Sequence, residues 1–427
     1  MIKKMNLLTK RTVYLFLTVI MLLFFAQSSF AQNNPDTTQI QFGGPGSVTG
    51  QQIEDAKPKA TLFDVDIMQD YYNWKDRLKK NSGFSYTVDY TSGLFTATNT
   101  LNEENTFASG AIRFFSSWDL VGRGTKNTGT FIFKIENRHG YTSIPASGTA
   151  SQIGYVGLFL PTLSDIGTRL TNLYWKQNLL GGRLELIGGF IDVTDWVDLY
   201  ILASPWNGFF NFANATGSAT IPVPDDATIG AYVNYLITDN LYVIGGLADA
   251  NANSTDPFNG FSTFFNDNEY FKSLELGWIN SQDRFYFNNT HITYWHVDER
   301  KNAGVSAGWG LNFSISHTFG LKWMPYLRGG YASKGGSLLQ KSLSTGLGYH
   351  LKDGISLIGL GFNWGQPNED TYGQKLKNQF STELFCRFQV IKRFELTPNI
   401  QWVVNPARNP TADQSWVFGL RGRIILL

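Results

Sequence analysis

Cysteine is nearly missing: Cys386 is the one thiol among 427 residues. It cannot close an internal disulfide, it leaves no thiolate cluster for a metal, and it lies too deep in the chain to carry a lipoprotein anchor. Charge is scarce, at 16% of residues against about 25% in ordinary soluble domains. Neither sign dominates, 35 basic residues facing 34 acidic ones, so a nucleic-acid partner is excluded for want of a basic footprint. His139, His317 and His350 are dispersed. Only His291 and His296 are close, and their odd spacing puts them on opposite faces of a strand, so no metal site is expected. The pairs Gly346/Gly348 and Gly359/Gly361 lack the third glycine and the following helix of a nucleotide loop. No catalytic residue and no cofactor are therefore expected.

Aromatic residues are plentiful at 15%, and 43 glycines accompany them, which disfavours both disorder and a coiled coil. The length allows two or three domains of ~100 to 200 residues, or one large barrel. Lys3, Lys4, Lys10 and Arg11 precede an apolar run over residues 13–25, and Ser29-Phe30-Ala31 follows. Basic, then apolar, then small is the order of a secretory signal peptide, and the run is shorter than the ~20 residues that span hydrocarbon. Residues 1–31 are expected to be removed on export. The polar segment 32–58 reads as a flexible lead-in. Across 59–83, Leu62, Val65, Met68, Tyr72, Trp74 and Leu78 recur at helical spacing before the stop signal Ser82-Gly83, giving one short amphipathic helix, a cap or plug for the rest of the chain.

From Phe84 the period becomes two. In residues 305–319 one phase is Val305, Ala307, Trp309, Leu311, Phe313 and Ile315, and the other is Ser306, Gly308, Gly310, Asn312, Ser314 and Ser316. Segments 379–390 and 415–426 repeat the contrast. Such strands suit a soluble sandwich or a membrane barrel. Three features favour the barrel. Trp118, Trp278, Trp309, Trp402 and Trp416 stand in the apolar phase near strand ends, where amphipathic rings meet headgroups. Tight turns at Gly181-Gly182, Thr238-Asp239-Asn240 and Lys352-Asp353-Gly354 contrast with long polar connections at 92–106, 193–226, 249–270 and 366–378. The export signal is the third. The expectation is all-β: a transmembrane antiparallel β-barrel over 84–427, of about 16 strands at roughly 21 residues per strand and connection, with 14 or 18 open. Barrels of that size leave an aqueous channel. Glycines such as Gly346 and Gly359 then read as strand glycines at barrel bends.

Charged residues in the polar phase are Arg113, Lys134, Glu136, Arg138, Glu185, Glu275, Arg328, Glu383, Arg387, Arg421 and Arg423. A lipid-facing Arg or Lys at mid-membrane costs roughly 2 to 4 kcal/mol, so these face the lumen. There they form a stiffening lattice of salt bridges, or they bind hydroxyl-rich solutes, with Phe385 as an apolar inward face. Were the 193–226 connection to fold into the channel, Trp206, Phe209 and Phe210 would line it.

The segment 380–410, FSTELFCRFQVIKRFELTPNIQWVVNPARNP, resembles the C-terminal signature of the carbohydrate-selective porins of the OprB family, above all in Glu383-x-x-x-Arg387, Leu396-Thr397-Pro398-Asn399-Ile400-Gln401 and Asn405-Pro406. Supporting matches are the helix and strand from Tyr71 onward, Leu274-Glu275-Leu276-Gly277-Trp278, Leu327-Arg328-Gly329-Gly330-Tyr331 and Phe418-Gly419-Leu420-Arg421. The resemblance implies a sixteen-stranded channel of the Gram-negative outer membrane that passes carbohydrates by facilitated diffusion, with arginines and acids at its constriction. Its implied partners are sugar solutes, outer-membrane lipids, the barrel assembly machinery and, among the options, two further copies in a homo-trimer. A general or ion-selective porin without a sugar site is the nearest alternative; a barrel enzyme, with a Ser–His assembly across strands, or an adhesin is further off. The chain departs from the usual pattern at its end, where Leu426 holds the outward phase that most such barrels give to an aromatic residue.

Overall fold

The structure is a computed structural model that describes residues 41–427 apart from 58, 66, 67, 321 and 352–355. The expected signal peptide and the 352–354 turn lie outside the described residues. Sixteen antiparallel strands close into a barrel. The first eight are β1 (Phe84–Ala97), β2 (Thr106–Val121), β3 (Gly129–Gly140), β4 (Gly167–Leu179), β5 (Leu184–Ile191), β6 (Thr228–Leu236), β7 (Leu241–Asp249) and β8 (Tyr270–Ile279). The rest are β9 (Asn289–Val297), β10 (Gly308–Ser316), β11 (Trp323–Lys334), β12 (Leu339–His350), β13 (Ser356–Pro367), β14 (Gln379–Ile391), β15 (Phe394–Val404) and β16 (Gln414–Ile425). Every strand pairs with its sequence neighbours, and β1 meets β16 in register Asp89 opposite Ile425, so no edge is left open.

Period-two alternation becomes inside and outside. On β8, Ser273, Glu275 and Gly277 face the lumen while Leu274, Leu276 and Trp278 are exposed, Leu274 by 54%. The aromatic rows form as expected, with Trp402 and Trp416 stacked on the outer wall at 5.8 Å. The 92–106 connection is shorter than expected, because the alternation Gly93, Phe95, Ala97 against Leu94, Thr96 carries β1 to Ala97. A long connection that the sequence reading passed over, 141–166, lies on the same rim as 192–227 and 250–269.

The glycines at 346, 359 and 361 lie within strands, as expected. They clear space for inward rings: a Cβ at Gly359 would overlap the Phe385 ring, and one at Gly346 or Gly361 would crowd the Tyr326 hydroxyl. Gly246, Gly277 and Gly310 likewise make room for Tyr232, Tyr242 and Trp295 from the preceding strand.

The N-terminal part departs most from expectation. Helix α1 (Val48–Ala56) falls within the segment read as a flexible lead-in; Ser47 caps it, its hydroxyl accepting from Gly50 N at 3.1 Å, and Val48 and Gln51 are buried inside the barrel. Polarity misled here because the lumen itself is polar. Helix α2 (Gln69–Ser82) starts ten residues later than the expected 59 and ends at Gly83 with φ 76°. It is neither cap nor plug. It lies on the outer wall, where Tyr71 and Tyr86 share a hydroxyl–hydroxyl bond of 2.5 Å and the Trp118 indole donates to Ser82 O at 3.1 Å.

Gly277→Val should therefore push Tyr242 off its 2.8 Å bond to Glu275. Overpacking of this kind costs about 1–3 kcal/mol. The heat-unfolding transition of the barrel, followed by gel shift, should drop by several degrees, whereas Gly188→Ala, with open space around it, should leave it in place.

Candidate functional site

The 192–227 connection turns back into the barrel, and the inward charges hold it there through its backbone. Glu383 accepts from Phe210 N at 2.6 Å and Asn211 N at 3.0 Å. Arg421 donates to Pro205 O at 2.8 Å and Gly208 O at 3.1 Å. Arg387 donates to Asn207 O at 3.2 Å. On the far wall, Arg328 donates to the Asp198 carbonyl and carboxylate at 2.6 and 2.7 Å and to Ala215 O. Glu275 accepts from Asp198 N at 3.0 Å, and His291 completes the Asp198 site at 2.9 Å. Rings finish the seat: Phe209 meets Phe385 edge-on at 5.0 Å, and the Arg328 and Arg421 guanidiniums lie 4.3 and 4.4 Å from the Tyr200 and Phe210 rings.

Above this loop a cavity of about 290 Å³ opens towards the rim of long connections. The walls of β3 and β4 give it Lys134, Arg138 and Arg169, and the loop gives it Asp192, Asp195, Trp206, Asp225 and Asp226. Glu136 bridges Lys134 at 2.9 Å and Arg138 at 2.6 Å. Arg138 and Arg169 both reach Asp226, at 3.1 and 3.0 Å, and Arg169 also pairs with Asp225. Trp206 lies flat against the Arg113 guanidinium at 3.5 Å, with Lys134 Nζ 5.7 Å from the ring centre. The 141–166 connection closes the remaining side with Pro161, Thr162 and Ser164.

All twelve residues singled out by sequence stand inside the barrel, but they divide by task. Lys134 and Arg138 line the cavity, with Glu136 bonded between them. Arg328, Glu383, Phe385, Arg387, Arg421 and Glu275 seat the loop. Arg113 and Arg423 share Asp89, through 2.7 and 2.6 Å bonds from their Nε atoms. Glu185 lies apart, accepting from Asn234 at 2.8 Å. Arg169, Asp89 and the loop acids were missed. Asp89 was readable, as a member of the phase Ser85, Thr87, Asp89, Thr91. Arg169 was hidden by the register shift opposite Lys134 and Ile135, which breaks the alternation of β4.

Burial and the neighbouring Asp226 push the Asp192 carboxyl up to about 7, against the pull of Lys134. Burial beside Asp192 likewise raises Asp195 far above the carboxylate range, while at Asp198 burial is outweighed by Arg328 and His291, which hold it low. With Asp192 protonated, the cavity's Lys134, Arg138 and Arg169 balance Glu136, Asp225 and Asp226; deprotonation adds one uncompensated negative charge. The folded state holds this proton more tightly than the unfolded chain, so the stability that it contributes is complete below the ordinary aspartate range and is lost as pH rises through about 7. Cation preference in reversal-potential measurements should rise from pH 6 to pH 8 in the native channel and stay flat in Asp192→Asn.

Comparison with known proteins bears on this geometry. The family model of the carbohydrate-selective porin, OprB family, matches residues 108–425. Among solved structures, a high-pH structure of Pseudomonas putida OprB superposes with a TM-score of 0.65 at 14% identity, covering 86% of this chain and 99% of that one. The low-pH structure of the same protein gives 0.51 at 14% identity over 87% and 100%. A mutant of the Rhodopseudomonas blastica porin gives 0.52 at 11% identity over 80% and 100%. A search of curated protein sequences finds no match. Identities this low speak for the fold alone, whereas the family match covers most of the chain. Porins of this family and fold are outer-membrane channels rather than enzymes, and this chain is a member of the carbohydrate-selective porin, OprB family.

Proposed function

We propose that the cavity above the inserted loop is the sugar-selecting step of this porin, with Lys134, Arg138, Arg169, Asp225 and Asp226 contacting solute hydroxyls and Trp206 contacting a ring face. One observation carries the reading: paired guanidiniums and carboxylates line a cavity together with the Trp206 indole and apolar residues such as Pro161, Leu199 and Val223. A sugar has the matching chemistry, hydroxyls that both donate and accept around its edge and C–H groups on its faces. Thr162 Oγ1, Ser164 Oγ and Arg169 Nε, in residues lining the cavity, have no hydrogen-bond partner among the described residues. Passage is by facilitated diffusion. The groups already bind one another, and a neutral hydroxyl joins these charged pairs without displacing them, so a solute is never held tightly.

Export through the signal peptide, insertion by the assembly machinery and a homo-trimeric state belong to this reading as its expected cellular setting. The seating of Arg328, Glu383, Arg387 and Arg421 on loop carbonyls and amides makes them positioning residues, one step removed from solute. A general porin without a sugar site would conduct ions and ignore added sugar.

Liposome swelling by monosaccharides, together with sugar block of single-channel current, tests the proposal. A charge-assisted hydrogen bond is worth about 1.5–3 kcal/mol, so Arg138→Ala or Trp206→Ala should weaken sugar block on the order of tenfold while potassium chloride still passes. A native channel whose current is indifferent to every sugar offered would leave only the general-porin reading.

A further inference from the structure

Residues 41–57 occupy the barrel interior beneath the inserted loop, on the side of the short turns. Phe42, Ser47, Val48 and Gln51 are buried there. The Phe42 ring meets Phe285 edge-on at 5.4 Å, and its carbonyl accepts from the Tyr286 hydroxyl. Gly44 N donates to Asp195 O at 2.8 Å, and a side chain at Gly44 would run into Leu199, so the segment lies directly against the loop. Pro45 and Gly46 form part of the cavity's own lining. A solute leaving the cavity towards the short-turn rim meets this segment next.

Beyond the apolar anchors Phe42 and Val48, its side-chain attachments are polar. The Arg423 guanidinium holds the Asp55 carboxylate through two 2.7 Å bonds, and Arg387 stands 3.7 Å from Glu54. Ser117 donates to Gln52 Oε1 at 2.7 Å. Breaking a buried pair is costly when a charge is left alone, but Arg423 keeps Asp89 at 2.6 Å when Asp55 departs, and the lumen can rehydrate the rest. The helix has little hold of its own: Val48, Thr49 and Gly50 open α1, a sequence of poor helix formers that relies on docking. The segment is also tethered. Leu62 and Phe63 donate their amides to Gln389 O and Val390 O at the end of β14, and α2 beyond them is fixed to the outer wall, so residues 41–57 can leave the lumen without loss of the N-terminal region.

We propose that residues 41–57 form a displaceable plug that sets the size limit of the channel, the floor of the sugar cavity being a mobile part of this chain rather than of its barrel wall. A continuous set of contacts joins it to the solute-facing ring: Asp55 to Arg423, Arg423 to Asp89, Asp89 to Arg113, and Arg113 to the Trp206 face. The proposal rests on the barrel being a conducting channel and holds whichever solute it selects.

Two variants of the full chain test it in planar bilayers and in liposomes. Deleting residues 41–57 should raise single-channel conductance in potassium chloride severalfold and admit larger sugars in swelling assays. Asp55→Lys sets a cation against Arg423 with the barrel wall untouched, and should give the same change in part, with frequent stepping between a low and a high conductance. It covers the case in which the deletion does not assemble. Conductance and size limit unchanged from native in folded barrels would overturn the plug, even if sugars pass. Raised conductance with no sugar passing in any form would keep the plug and remove the sugar reading instead.

Discussion

The cost of showing a charge to lipid organises this molecule. An outward guanidinium at mid-membrane costs roughly 2 to 4 kcal/mol, and the chain carries many ionisable side chains within its strands, so the inward phase of each strand becomes the place for them. Once inside the barrel, however, they meet a second cost. A charge in a crowded lumen must find partners with good geometry, and the opposite wall is too far away to supply them. The inserted loop answers this need. Its carbonyls take the donors of Arg328, Arg387 and Arg421, its amides satisfy Glu383 and Glu275, and a connection with little regular structure acquires a fixed path. Loop and charges are each unreasonable without the other.

The same logic explains why the barrel interior is rich in rings and glycines. Filling a wide cylinder from its wall demands long side chains, and a flat ring laid over a neighbouring strand does so at small entropic cost, provided that the strand offers no Cβ beneath it. Tyr232 over Gly246, Tyr242 over Gly277 and Trp295 over Gly310 lie within the stretch of wall from β6 to β10. This half of the barrel packs like a core, with Trp196, Tyr200, Tyr232, Tyr242 and Trp295 almost fully buried. The cavity is left towards β3 and β4, where Lys134, Glu136, Arg138 and Arg169 are charged and paired.

Sequence alone carried the barrel because one rule, alternation with lipid on one side, acts on every strand independently. Length and repeat put the count near sixteen, with 14 and 18 left open. The site was harder to read, for reasons that differ by residue. Lys134, Glu136 and Arg138 lie at alternate positions of one strand and were visible as a set. Arg169 was not, because an irregular residue in β4 shifts its phase. Asp192, Asp225 and Asp226 carry no periodic signal at all, since a loop's direction is set by what it docks on. Residues 41–57 were misread for a deeper reason: a polar segment is expected to stay in water when the alternative is an apolar core, and here the interior is polar, so hydrophobicity no longer separates inside from outside.

Selectivity in such a channel has to come from replaceable contacts. A sugar that found unpaired arginines would bind too well to leave, and one that found only hydrocarbon would not shed its water. Arg138 and Arg169 sharing Asp226, at 3.1 and 3.0 Å, occupy the middle ground: each donor already has a charged acceptor, which a neutral hydroxyl can join but not displace. Each hydroxyl then gains a modest contact that it can leave again, and the indole face of Trp206 tips the balance towards solutes with an apolar ring face. Because Trp206 is backed by Arg113, and Arg113 by the Asp89 that also holds Arg423, the stiffness of that face depends on charges far below it, at the level of α1. Discrimination at the top of the channel and closure at its bottom thus draw on one set of ion pairs.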